Sequence, residues 1–181
     1  MNNFFVYVDM SPAEICTAQQ KGERVIGKYI QHYTKPEVKR SKAAIRQAVL
    51  KAGRISNIQM CLKSKKIDGK MISVPCFMET FIDCPIRLAV DYYYPVNRPK
   101  KYMGKVLWRT KRPDLDNLTK SIMDCLTDME LWQDDAQVAC LMLTKREVDN
   151  GNGHIIISAV PIDTEAKSLY PNAYPNAYPS A

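Results

Sequence analysis

The chain has 181 residues, enough for one domain with its own core, and its 26 Lys and Arg against 19 Asp and Glu give a net charge of +7 at pH 7. No apolar stretch approaches the roughly 20 residues that span a bilayer, and residues 1–10 lack the basic-then-apolar order of a secretory signal, so we expect a cytoplasmic protein without membrane contact. The basic excess is compatible with a polyanionic partner such as a nucleic acid.

The first third of the chain predicts a strand, a short capped helix and one longer helix. Phe4 to Val8 is β-prone, and Ser11 to Glu14 has the capping-box pattern with Pro at the first helical position. Residues 24–34 leave a helix face and strands both open. Apolar residues at helical spacing predict a helix from Val38 to Ala52, which Gly53 is expected to end.

The middle of the chain predicts β-structure. Residues 57–78 are expected to form a hairpin, because the Asp-Gly pair at 68–69 supplies a tight turn between two β-prone runs. Ile86 to Tyr94 alternates apolar and other residues between Pro85 and Pro95, which predicts a strand.

The remaining elements are a basic loop at 96–113, a helix from Asn117 to Met129 with Asp116 as its N-cap, and strands at Ala136–Glu147 and His154–Val160. After Pro161 the composition changes to a repeat of Tyr, Pro, Asn and Ala, which favours extended conformations. We therefore expect a domain over 1–162 and a disordered tail over 163–181.

Charge is distributed unevenly around the predicted loop and helix. Residues 97–113 contain seven basic and no acidic residues, whereas residues 114–135 contain seven carboxylates. Basic side chains attract backbone phosphates, and carboxylates hold the cation that offsets phosphate charge. This order is typical of a metal-dependent enzyme that cuts phosphodiesters.

Two acidic motifs bound that segment, R-P-D-L-D-N-L-T-K at 112–120 and W-Q-D-D-A-Q-V at 132–138. Asp114 and Asp116 alternate in a segment that the preceding proline is expected to keep extended, which would point both carboxylates to one place. Hard cations such as Mg²⁺ prefer such oxygen ligands. Lys120 is expected one helical turn beyond Asp116 on the same side.

Structural explanations for the same residues stay open at this point. Asp116 alone makes a good N-cap, residues 134–135 alone can form a turn, and Lys120 with Asp124 can form a surface ion pair. A calcium-binding EF-hand loop is a poor fit, since Leu118 stands at its fifth position and no Gly follows at its sixth.

At these motifs the sequence resembles the RusA family of Holliday junction resolvases from bacteria and their phages. The resemblance covers D-L-D-N-L-x-K at 114–120, D-x-L at 124–126, W-x-D-D-x-Q-V at 132–138 and a strand that ends in Lys145 and Arg146. It extends over roughly residues 82–160.

The resemblance implies an α+β fold, with a mixed β-sheet flanked by helices, in a homodimer. It also implies an endodeoxyribonuclease that uses Mg²⁺, or Mn²⁺ in its place, to resolve four-way DNA junctions in recombination and repair, in a bacterial or phage-infected cell. The implied metal ligands are Asp114, Asp116 and Asp135, with Lys120 as a fourth catalytic residue. Asp134 and Asn117 are implied as supporting residues. The implied DNA-binding residues are Arg109, Lys111, Arg112, Lys145 and Arg146.

The chain departs from the family pattern at three places. Residues 9–14 replace a Pro- and Arg-rich segment, the hairpin at 57–78 is expected to be an insertion, and the tail at 163–181 is extra. Two alternatives remain: a nuclease of the same fold that acts on flaps or other branched DNA, and a DNA-binding relative that does not cut. The complete set of three aspartates and one lysine argues against the second.

Overall fold

The computed structural model of this protein describes residues 4–16, 21–55, 59–67, 69–78, 84–97, 104–149 and 152–162. The predicted tail at 163–181 lies outside these ranges, and the division into a domain and a tail stays a prediction. Neither helix in the described ranges is long and apolar enough to cross a membrane.

Nine strands and two helices make up the described regular structure, besides short 3-10 turns. The strands are β1 Phe4–Val8, β2 Lys21–Ile26, β3 Tyr29–Thr34, β4 Met60–Ile67, β5 Lys70–Phe77, β6 Ile86–Val96, β7 Leu107–Trp108, β8 Val138–Asp149 and β9 His154–Pro161. The helices are α1 Pro36–Ile55 and α2 Leu115–Asp128.

Five strands form the main sheet in the order β1-β9-β6-β8-β7. β6 pairs in parallel with β8 and antiparallel with β9, so the sheet is mixed. α2 lies in the connection between the parallel strands β6 and β8, as parallel pairing requires a long crossover. The predicted α+β fold with a mixed sheet and helices is confirmed.

The core lies between one side of this sheet and the two helices. Every second residue of β1, β6 and β9 is buried, as alternation along a strand requires when one face is covered. Two ion pairs join the helices, Lys42 to Asp124 at 2.7 Å and Arg46 to Asp128 at 2.9 Å. Asp124 therefore pairs across to α1 and not with Lys120.

Two predicted element ends were wrong. α1 continues through Gly53, which is buried, because a helical glycine costs only about 1 kcal/mol relative to alanine and the helix runs on to Ile55. β6 continues through Pro95 to Val96. Pairing with β9 stops at Tyr93, so among the described strands Pro95 pairs only with β8 and its missing N–H is tolerated there.

The two remaining strand pairs are hairpins. Residues 24–34, for which helix and strand were both open, belong to β2 and β3, joined through Gly27 at φ +61°. The predicted hairpin at 57–78 is confirmed as β4 and β5, with Gly69 at φ +80°. Whether this second hairpin is an insertion stays a prediction.

The β4–β5 hairpin is fixed to the end of α2. Glu130 adopts φ +59°, and its N–H donates to the Thr127 carbonyl while the N–H of Leu131 donates to Leu126, which is a Schellman motif. The Glu130 carboxylate pairs with Lys63 of β4 and with Lys65 at 3.0 Å. A residue other than glycine thus holds the left-handed position while its side chain anchors the hairpin.

Replacing Glu130 with Gln is expected to lower the free energy of unfolding by about 0.5 kcal/mol at pH 7. Hydrogen bonds from Lys63 and then Lys65 hold the pKa of this carboxyl below its usual 4.5. The contribution is therefore present above pH 4.5 and is lost as the pH falls through the lowered pKa. Urea unfolding of the unaltered protein and of Glu130→Gln at pH 7 and pH 3 measures the difference in their free energies of unfolding.

Glu37→Gln is the matched control for that prediction, because Glu37 forms only an exposed ion pair with Arg40 at 3.6 Å. It is expected to change the free energy of unfolding less than Glu130→Gln does. An effect of Glu130→Gln that stays the same at both pH values would contradict the ion-pair explanation.

Candidate active site

The first acidic motif lies at the start of α2. Asp114 is the N-cap, with φ −75° and ψ 148°, and its side chain makes no capping hydrogen bond. The predicted N-cap at Asp116 was wrong, because Leu115 already packs against the core and the helix begins there. Asp116 lies instead in the first helical turn, where a carboxylate is favoured by the helix dipole.

The two carboxylates are brought together by the start of α2. Asp114 and Asp116 are a cap residue and a first-turn residue of α2, and not the alternate residues of an extended segment that the sequence predicts. Both side chains are exposed. They lie at the end of a helix that exposes N–H groups, which is where negative charge is stabilised.

Buried polar contacts fix which side of α2 faces solvent. Thr119 is buried, its hydroxyl donates to the Leu115 carbonyl at 2.8 Å, and it hydrogen bonds the Tyr92 hydroxyl at 2.9 Å. Burial raises the pKa of Tyr92, so the phenol keeps its proton. Asp116 and Lys120, four residues apart, are both exposed on the opposite side.

The second acidic motif begins on a buried anchor. Trp132 is 2% exposed, and its Nε1 donates to the Thr127 hydroxyl at 2.7 Å, which ties the segment to α2. The Asp134 carboxylate accepts from the Ala136 N–H at 2.8 Å and caps a 3-10 helix, Asp135–Gln137. Both carboxylates are exposed, but Asp134 has this structural contact.

The three predicted metal ligands are exposed carboxylates on two segments that lie beyond opposite ends of α2. Asp114 and Asp116 share the start of α2, and Asp135 follows the segment that leaves its other end. Across the described ranges, no group of three or more His, Cys, Asp or Glu side chains is placed to hold a metal ion. The donor chemistry fits Mg²⁺, which binds through one or two carboxylates together with water and substrate phosphate.

Lys145 on β8 holds the loop that leads to Asp114. Its Nζ donates to the carbonyls of Lys111 at 2.6 Å and Pro113 at 2.7 Å, and its own carbonyl accepts from the Arg109 N–H at 2.9 Å. Burial, followed by the positive charge of Arg109, lowers the pKa of Lys145, and Asp114 opposes this. The ammonium of Lys145 is thus engaged within the chain.

Arg109 is engaged in the same way. Its guanidinium donates to Glu147 at 3.1 Å and to the Arg112 carbonyl at 3.4 Å, and it lies 4.2 Å from the centre of the Tyr94 ring. Its side chain is only 16% exposed. By contrast, Lys111 and Arg112 are exposed, so these two of the predicted DNA-binding residues can reach a phosphate.

Arg146 points to the other side of the sheet from Lys145, as alternation along β8 requires. Its guanidinium lies between the rings of Tyr93 and Trp108, at 5.6 and 5.2 Å from their centres, and forms an ion pair with Asp91 at 3.7 Å. Sequence analysis missed the roles of Glu147, Tyr93 and Trp108. The alternation of β6 and β8 was the signal that could have found them.

Comparisons with known proteins agree on one family. Residues 70–158 match the model of the family described as Endodeoxyribonuclease RusA. A protein of Lactococcus phage r1t, named Crossover junction endodeoxyribonuclease rusA, is 33% identical over 76 residues, which are 42% of this chain and 56% of that protein. The chain thus spans little more than half the length of the curated relative it matches. The family match contains both acidic motifs.

Proposed function

We propose that this chain, which belongs to the RusA family of endodeoxyribonucleases through residues 70–158, is a metal-dependent endonuclease that resolves four-way DNA junctions. The observation that carries the proposal is the start of α2. There Asp114 and Asp116 are exposed, and Lys120 lies one turn further along the same solvent-exposed side. The biological setting we propose is DNA recombination and repair in the cytoplasm of a bacterial or phage-infected cell.

Asp114, Asp116 and Asp135 would hold the cation, Mg²⁺ or Mn²⁺. When bound, such a cation offsets the charge of the scissile phosphate and lowers the pKa of a bound water. The Lys120 ammonium would stabilise the negative charge that develops in the transition state. Asp134, which caps the 3-10 helix, would support Asp135, and Asn117 would support the start of α2.

Lys111 and Arg112 would contact backbone phosphates, because both are exposed beside Asp114. For Arg109 and Lys145 we propose a different role from the DNA contact that the family resemblance implied. Their charged groups bond within the chain, so they would position the loop that carries Asp114. Arg146 would act through Trp108, against whose ring its guanidinium lies.

We further propose a homodimer. A four-way junction has two strands of like polarity to cut, and two active sites related by a two-fold axis can reach both. Sedimentation equilibrium of the purified protein tests this directly: a mass near 41 kDa, twice that of the roughly 21 kDa chain, is expected.

The deciding experiment compares a synthetic four-way junction, a flap and a linear duplex, each with Mg²⁺. Cutting of the junction in two symmetric strands is expected, with the linear duplex left intact. Preferred cutting of the flap would favour the related flap nuclease instead. Binding without any cutting would favour a DNA-binding relative that has lost its chemistry, and equal cutting of the duplex would overturn structure selectivity.

Removing the metal is expected to separate cutting from binding. With EDTA in place of Mg²⁺, cleavage of the junction should fall below detection, since the cation contributes several kcal/mol to the transition state. Mn²⁺ should restore it. Gel-shift titration in the same EDTA buffer should still detect the complex, because exposed lysines and arginines supply most of the binding. Cleavage that persists in EDTA would contradict the metal-dependent mechanism.

A further inference from the structure

A row of stacked side chains crosses the side of the main sheet that the helices leave uncovered. The rings of Tyr7 and His154 stack at 4.7 Å, and those of His154 and Tyr93 at 4.3 Å. Arg146 continues the row at 5.6 Å from Tyr93, and Trp108 ends it at 5.2 Å from Arg146. The row therefore runs over all five strands, from β1 to the edge strand β7.

Trp108, the last residue of this row, is exposed to solvent. Its side chain is 71% exposed, whereas the other tryptophan of the chain, Trp132, is 2% exposed. Val106 and Leu107 before it are also exposed, so three consecutive exposed apolar residues end in the two-residue edge strand β7. Single exposed apolar residues are ordinary, but such a run costs solubility unless it has a function.

We propose that Trp108 is a stacking platform for a base that lacks a stacking neighbour at the branch point of branched DNA. This inference rests on the proposed function and deepens it. Aromatic rings stack on any base, because every base has a π-face, and an arginine beside the ring adds a cation–π contribution. In a linear duplex each base stacks on a neighbour on both faces. At a branch point some bases lack a stacking neighbour on one face. The platform would thus contribute to selection of branched over linear DNA.

Arg146 holds the platform in place from beneath. Its guanidinium donates to the Tyr93 hydroxyl at 3.0 Å and pairs with Asp91, so two contacts fix the group on which the Trp108 ring rests. An indole held in one orientation loses little entropy when a base stacks on it, and binding is correspondingly stronger. Arg146 is in this sense a positioning residue.

Trp108 lies close enough to the proposed active site to act on the same junction. It is six residues before Asp114, so the two Cα atoms are separated by at most about 20 Å, or six base steps of a DNA strand. Neighbouring backbone links the two places, since the Arg109 N–H bonds to Lys145, which holds the residue before Asp114. A base on Trp108 and a phosphate at Asp114 can therefore belong to one branch point.

Charge favours DNA over a second copy of this chain as the occupant of the edge at Trp108. Lys105, Lys111 and Arg112 are exposed close to Trp108 in sequence, and no acidic residue occurs between 97 and 113. Two such edges brought together would place like charges opposite each other, which is unfavourable. A polyanion meets the same edge with complementary charge.

The test compares Trp108→Ala and Trp108→Phe with the unaltered protein, using a four-way junction in EDTA and a linear duplex of the same length. Trp108→Ala is expected to weaken junction binding about tenfold, and duplex binding less than twofold. Trp108→Phe should restore most of the junction affinity, because a phenyl ring still stacks. Tyr29→Ala is the matched control: it removes another exposed aromatic, on the β2–β3 hairpin, and should leave both affinities unchanged.

Tryptophan fluorescence gives a readout that a change in folding stability alone does not alter. Titration with the junction should quench tryptophan emission of the unaltered protein, because Trp108 is exposed, and should quench Trp108→Phe little, because only buried Trp132 remains. Equal quenching of both proteins, or equal loss of junction and duplex binding in Trp108→Ala, would overturn the platform. A changed mass of Trp108→Ala in sedimentation equilibrium would overturn it in favour of an interface between copies. An unaltered protein that binds and cuts no branched DNA would instead refute the proposed function.

Discussion

Replacing Asp116 with Asn is expected to reduce cleavage of a four-way junction on the order of a thousandfold while the junction still binds. A carboxylate that holds the cation contributes several kcal/mol to the transition state, and an amide carries no charge to replace it. The fold should persist, because Asp116 is exposed in the first turn of α2 and is not its cap. Single-turnover cleavage in Mg²⁺ and gel-shift titration measure the two quantities separately.

Asp134→Asn is the matched control. It also replaces a carboxylate oxygen with an amide nitrogen, but on a side chain that forms a structural hydrogen bond. Asp134 caps the 3-10 helix by accepting from the Ala136 N–H, and asparagine caps equally well. Cleavage is therefore expected to fall less than tenfold. If Asp116→Asn lost binding and thermal stability together with cleavage, the residue would have a structural role. If Asp134→Asn lost as much cleavage as Asp116→Asn, Asp134 would have to be counted among the metal ligands.

Most of the fold could be predicted because its signals are local. β6 alternates over its whole length and α2 has a clear helical period, so both were found from the sequence, with errors only at their ends. The errors at element ends, at Gly53 of α1, Pro95 of β6 and Asp116 of α2, share one cause. A glycine, a proline or a capping residue changes local stability by only about 1 kcal/mol or a few times that, which does not by itself decide where a helix or strand ends.

The candidate site was predictable in its residue types but not in how its charges are used. The carboxylates and Lys120 form a linked motif, so the sequence alone identifies them as a set. Arg109 and Lys145 belong to the same basic surroundings, yet their partners depend on pairing between segments more than thirty residues apart. Only the register of β7 against β8, with Trp108 opposite Arg146, brings the ammonium of Lys145 to the loop before Asp114.

Lys145→Met is therefore expected to slow cleavage about a hundredfold with a smaller effect on junction binding. Methionine keeps the apolar length of the side chain but donates no hydrogen bond to the Lys111 and Pro113 carbonyls. The residues directly before Asp114 lose their side-chain link to β8, although Arg109 still bonds to it. A displacement of Asp114 by about 1 Å is enough for a loss of this size. Single-turnover rates at saturating junction concentration, with Mg²⁺, measure the effect.

The salt dependence of binding separates this role from a phosphate contact. A lysine that neutralises a phosphate contributes about 0.9 to the slope of log affinity against log salt, and its loss lowers the slope by that amount. Lys145→Met should leave the slope unchanged, because the ammonium bonds within the chain. Lys111→Met should lower the slope by about one and weaken binding more than it slows cleavage, because that side chain is exposed. If the two variants exchanged these behaviours, Lys145 would be the DNA contact that the family resemblance implied, and the loop before Asp114 would need another support.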